Sequence, residues 1–202
     1  MVATQSDESQ VTTGQDDPRV ARSRAKMLAA ATELLVEGGP RVVTADAICE
    51  RSGVAKSTMY RHWTSVNELL VDVMRCNVPE VVEFDLSAGF EPALRAWVQQ
   101  VAATLSDPEW ARILPALIEL RRHTAEMSAV FDADFAEKLG RMAAILELGA
   151  AEGRLPAGLD PALVNSTLVG PAVFIVLTEP GADVGPVAEF TLERFLASYP
   201  AH

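Results

Sequence analysis

Apolar residues recur along the chain at three- and four-residue spacing, and strict alternation never holds for long, so the pattern predicts helices throughout. Val20, Met27, Leu28, Ala31, Leu34 and Leu35 mark one face of a first helix that begins near Arg19 and stops at Gly38-Gly39-Pro40. Arg22, Arg24 and Lys26 supply exposed charge near its start. Residues 1–17 are rich in Ser, Thr, Gln, Asp and Gly, carry no periodic apolar positions, and read as a flexible tail. Further along, Asp107-Pro108 and Asp160-Pro161 each pair an N-cap residue with proline at the first helical position, and Gly185-Pro186 is a weaker version. Helices are therefore predicted to start near Pro108, Pro161 and Pro186, with others over 91–105 and 125–151, the last ended by Gly153. Residues 162–178 are apolar almost all round, interrupted at Gly170-Pro171, where a kink and freed carbonyls are expected. A helix with no polar face must be wrapped by other helices or by a second subunit. This one and the 187–199 helix, with Phe190, Leu192, Phe195, Leu196 and Tyr199, are read as a surface that meets its copy in a four-helix dimer bundle.

Residues 43–70, VTADAICERSGVAKSTMYRHWTSVNELL, pack the most local signals into the shortest space. Thr44 can cap a helix starting at Ala45, with Asp46 in its electropositive first turn and Ala47, Ile48 and Arg51 at helical spacing. Gly53 supplies turn freedom, and Val54 can plug the gap between two helices. The next helix is polar at Lys56, Ser57, Thr58, Tyr60, Arg61 and His62, leaving only Met59 and Trp63, four apart, to face inward. A helix so short and polar buries little, so its face is for contact. Ser65-Val66-Asn67-Glu68 then has the form of a capping box that opens a longer helix ending before Pro79. Two short helices about a glycine turn, the second basic and hydroxyl-bearing, is how a chain offers a helix to the major groove. By position, Lys56, Ser57, Thr58 and Tyr60 reach base edges, while Tyr60, Arg61, His62 and Thr44 suit phosphates. Ile48, Val54, Met59, Trp63 and Leu69 are expected in the core.

With Gly53-Val54, Tyr60-Arg61-His62-Trp63 and Glu68-Leu69-Leu70 in place, this stretch resembles the DNA-binding domain of TetR-family transcriptional regulators. The resemblance implies an all-α homodimer: an N-terminal three-helix DNA-binding domain with a helix-turn-helix (18–64), followed by a helical-bundle ligand-binding and dimerisation domain (65–202). It also implies that Thr44, Tyr60 and His62 bind backbone phosphates of a double-stranded operator, and that a small-molecule effector loosens the complex. Two positions depart from the family pattern. Val66 stands where a phosphate-binding Lys is frequent, and Ala55 where a Ser often caps the recognition helix, each worth about 1 kcal/mol. Affinity is then expected to lean more on Arg61 and the first-helix arginines.

The net charge of −11 argues at first against a nucleic-acid partner, until the chain is divided. Residues 19–63 hold eight Lys and Arg against four Asp and Glu, a balance of +4, whereas 64–202 hold nine against twenty, or −11, and 1–18 add −4. A basic head on an acidic body binds phosphate locally while the body is repelled, which orients the approach. Cys49 and Cys76 have apolar neighbours and are expected as small buried side chains, neither disulfide nor metal pair. The start of the chain lacks the basic and apolar stretches of a signal peptide, and residues 163–178 fall short of the roughly 20 apolar residues of a membrane span. A cytoplasmic protein without a membrane partner is expected.

Candidate chemistry is thin elsewhere. No His pairs with Cys or His at metal-ligand spacing, and there is no P-loop, dinucleotide glycine fingerprint or nucleophile elbow, so neither an enzyme nor a cofactor is expected. Arg121-Arg122-His123 is read as positive charge at a helix C-terminus. An apolar effector pocket among body helices would draw on Trp97, Trp110, Leu114, Leu117, Met127, Phe131, Phe135, Asn165, Val169 and Phe174, any of which can equally be plain core. Two other classes stay open: a helical-bundle enzyme, and a small-molecule binding or scaffold protein that has lost DNA recognition.

Overall fold

In the computed structural model, which describes residues 18–79, 85–179 and 181–200, the described residues form nine α-helices and two short 3-10 turns, with no strand. The expected tail over 1–17 lies outside the described residues. In chain order the helices are α1 (Pro18–Gly38), α2 (Ala45–Ser52), α3 (Lys56–His62), α4 (Val66–Asn77), α5 (Phe90–Ser106), α6 (Pro108–Arg121), α7 (Ala125–Ala151), α8 (Pro161–Thr178) and α9 (Gly185–Ala197).

Side-chain caps set most of the starts. Thr44, Thr124, Asp107 and Asp160 each accept a backbone N–H from the first turn of the helix they precede, satisfying donors that the helix itself cannot. Helix α5 starts differently. Its N-cap is Gly89, and the Phe90 N–H is taken at 3.1 Å by the Glu152 carboxylate, just past the end of α7. At α9 the N-cap Val184 gives no side-chain bond, and Asp183 Oδ1 accepts the Gly185 N–H instead. Helix α8 runs unbroken through Gly170-Pro171, so the expected interruption is not an interruption of the helix; proline costs one backbone bond there, and packing against α5, α7 and α9 holds the rest.

Two apolar cores stack along the molecule. The first joins Met27, Ala31 and Leu35 of α1, Ile48 of α2, Met59 and Trp63 around α3, and Leu69, Leu70, Val73 and Met74 of α4. It also takes in Ile113, Leu117 and Leu120 of α6 and Met127 of α7. The second is built around α5, which packs on α6, α7, α8 and α9, with Phe90, Leu94, Trp97, Met142, Ile145, Leu168 and Leu192 at its centre.

Three expectations change here. Val54 is only half-buried, though it packs on the first core, and Cys49 is likewise half-buried. Cys76 is exposed, because the last turn of α4 reaches past that core into a shallow groove between α1, α4 and α6. By length and composition α8 is apolar enough to cross a membrane, where the sequence reading took it as too short. Within this fold one side of it, Val164, Leu168, Ala172 and Val176, is core, while Leu163 and Phe174 are 67% and 66% exposed.

Candidate functional site

The N-terminal head is assembled from short-range signals. The Thr44 Oγ1 accepts the Ala47 N–H at 3.2 Å, and Asp46 lies in the first turn of α2. Gly53 closes that helix in the left-handed region at φ 67°, a conformation that side-chain-bearing residues rarely adopt. Arg51 then ties α2 to α1 through Glu37 at 2.7 Å. The chain re-enters a helix at Lys56 with Ala55 as N-cap and no side-chain bond there, as expected where a capping Ser is missing. With Met59 and Trp63 fully buried, the rest of α3 faces outward: Lys56, Ser57, Tyr60 and Arg61 are exposed, Thr58 and His62 half-buried.

Within that face, Lys56 Nζ lies 2.8 Å from Asp46, whose hydrogen bond and charge raise the lysine pKa. Arg61 donates to Thr58 Oγ1 at 3.2 Å, and Tyr60 is 49% exposed. His62 sits against Trp63 and 3.5 Å from Ser23 Oγ. Burial, then the charges of Arg24 and Arg61, lower its pKa from the ordinary value. Thr44, exposed at the start of α2, completes the set.

One side chain that sequence reasoning did not single out holds these parts together. Asp72 of α4 accepts from Trp63 Nε1 at 2.8 Å, from Arg24 Nη2 at 2.5 Å and from Arg75 at 3.2 Å, and the Arg24 guanidinium also lies 5.4 Å above the Trp63 ring. Burial alone would raise the Asp72 pKa; the hydrogen bonds from Trp63 and Arg24 outweigh it and hold the carboxyl below its ordinary value. Arg24 thereby joins α1 to α4, while Arg22 and Lys26 remain exposed. The capping box is also modified. Ser65 Oγ accepts the Glu68 N–H, but Glu68 reaches back to Thr64, taking its N–H at 2.6 Å and its hydroxyl at 2.8 Å.

The body holds a partly open cavity of about 200 Å³ between α5, α6, α7 and α8. Of the residues expected there, Trp97, Trp110, Leu114, Phe135, Asn165 and Val169 line it. Leu117 and Met127 do not, because they face the first core, and Phe131 packs on that core under the Arg121 guanidinium. Phe174 points to the surface. Sequence reasoning missed Pro79, Gln100, Val101, Thr104, Leu105, Lys138 and Val173; of these, the α5 residues continue the Trp97–Val101–Leu105 stripe and were within reach of helical spacing. Pro79, two residues past the end of α4, lies in the cavity wall.

A head with a short polar helix about a glycine turn, on an all-helical body that holds an apolar cavity, defines a DNA-binding regulator of the helix-turn-helix class. Residues 27–73 match the family model of bacterial regulatory proteins of the tetR family, and residues 90–194 match that of the tetracyclin repressor-like C-terminal domain. The chain belongs to the TetR family of transcriptional regulators. It is 36% identical over 78 residues to the HTH-type transcriptional activator FasR of Mycolicibacterium smegmatis, a stretch covering 39% of this chain and 33% of FasR. Over 161 residues it is 24% identical to the HTH-type regulator YdeS of Bacillus subtilis, covering 79% and 81% of the two chains. Among solved structures, the regulator FadR of B. subtilis in complex with stearoyl-CoA superposes with a TM-score of 0.63 at 19% identity, covering 88% of this chain and 99% of that one.

Proposed function

We propose that the protein is a cytoplasmic, homodimeric, ligand-responsive regulator, a repressor of transcription rather than an enzyme, that binds a palindromic operator and is released by a small, mainly apolar effector. The observation that carries this reading is α3: Met59 and Trp63 anchor it, and its outward face is given over to Lys56, Ser57, Thr58, Tyr60, Arg61 and His62. Two such helices spaced by about one duplex turn, roughly 34 Å or somewhat more, would read two half-sites. Thr44, Tyr60 and His62 would sit on phosphates, with Arg61 beside them. The exposed Leu163, Phe174, Leu177 and Phe190 on α8 and α9 support pairing with a second copy through those helices. Pro79 gives the effector a lever: a ligand that favours one position of the cavity wall favours one position of α4, and hence one separation of the heads.

The test is a mobility-shift titration with DNA flanking the protein's own gene. Tyr60→Ala and Arg61→Ala should each weaken binding about tenfold or more, and Arg61→Ala should flatten the dependence of log affinity on log salt by about one unit. Binding that ignores both changes would remove α3 from the interface.

A further inference from the structure

We infer that the body cavity is built for a neutral, flat ligand of one or two fused rings that carries a hydrogen-bond donor, and that the Asn165 side chain reads that donor. The inference rests on the effector role proposed above and gives it a chemical class. Size is the first constraint. About 200 Å³ is available, and an apolar cavity of about 150 Å³ already holds benzene. One or two rings therefore fill the space. The walls are suited to flat faces: Trp97 of α5, Trp110 of α6 and Phe135 of α7, with Val169 and Val173 of α8 closing the side.

Polarity is the second constraint. Asn165 is the buried polar residue of the described core, 8% exposed, and its Oδ1 accepts no hydrogen bond from the protein. A buried acceptor left unpaired is costly, and a ligand O–H or N–H delivered to it recovers that cost. The third constraint is charge. Lys138, which lines the cavity, is already neutralised by Asp134 at 2.6 Å one turn earlier on α7. A carboxylate entering the cavity would have to displace Asp134 or lose its hydration without a cation in return. A neutral donor such as a phenol meets all three conditions; an anion or a plain hydrocarbon meets only some.

Calorimetric titration of the full-length protein with 2-naphthol, 2-methylnaphthalene and 2-naphthoate separates them, because the three share a ring system and differ in donor and charge. 2-Naphthol should bind at least about tenfold more tightly than either of the others. In Asn165→Leu that preference should vanish while 2-methylnaphthalene binds within about threefold of its affinity for the unchanged protein. Equal affinities for naphthol and methylnaphthalene, tighter binding of naphthoate, or no uptake of naphthol overturns the inference, and this ranking on the unchanged protein decides even if the variant does not fold. Release of DNA is read in a separate mobility shift. Selective naphthol binding that leaves the DNA complex intact sinks the effector role and keeps the ligand class; DNA binding with no naphthol selectivity sinks the ligand class alone.

Discussion

His62, proposed above as a phosphate contact, is also placed to affect stability. Its ring is flanked by Ser23, Trp63 and the charges of Arg24 and Arg61, and burial followed by those charges depresses its pKa from the ordinary 6.5. A base that resists protonation in the folded state is protonated first in the unfolded chain, so stability rises with pH across the window between the two values. The contribution is complete above about pH 6.5 and is lost as the pH falls toward the depressed value. Thermal melts from pH 7.5 to 5 should therefore show a decline setting in below that point, and His62→Gln should make it shallower. Superimposable profiles for the two proteins would mean that the imidazole is as solvated in the fold as out of it. Asp72 works in the opposite sense, its depressed pKa marking a carboxylate that helps the head only while ionised, and its loss belongs to more acid conditions.

Among the elements, α7 offers a matched pair of glycines. A Cβ on Gly149 would come within 2.7 Å of the Phe90 ring and 2.8 Å of Leu155, whereas one on Gly140 meets nothing within 4 Å. Gly149→Ala should destabilise by about 1–3 kcal/mol through overpacking. Gly140→Ala, in the same helix, should stabilise by about 0.5–1 kcal/mol because alanine loses less backbone freedom. Urea unfolding midpoints moving in opposite directions check both. The elements are also where the reach of the sequence is clearest. Caps at Thr44, Asp107 and Asp160 are local chemistry, and helix starts could be placed from them to within a residue or two. The Glu152 carboxylate capping α5 comes from 62 positions away, and no local rule could find it. Helical period assigns a face but not the neighbour that covers it. Leu117 and Met127 were correctly read as inward and still landed in the other core, away from the cavity. In α8 even the face is undetermined, since a helix apolar all round carries no angular signal; Val169 and Phe174 looked equivalent, and only the packed bundle separates cavity wall from surface.

At the scale of the whole molecule, charge and apolar surface are sorted by region. The head carries the basic excess, the body carries the acid, and Leu163, Phe174, Leu177 and Phe190 leave α8 and α9 with a bare apolar flank. The pairing of two copies across that flank is a proposal with a direct test. Phe174→Glu together with Phe190→Glu should convert a dimer to a monomer in sedimentation velocity at micromolar concentration, and should weaken operator binding in parallel, since one head alone reads one half-site. A double variant that sediments as the unchanged dimer would place the interface elsewhere.

The sharing of the first core between α1–α4 and the inner faces of α6 and α7 sets an order of events during synthesis. When the segment bearing α1 to α4 has left the ribosome, the surface that Ile113, Leu117, Leu120 and Met127 will cover is still open to water. The first core is therefore complete only after the nascent chain has passed residue 127, and a fragment that stops at residue 79 should expose greasy patches and aggregate readily.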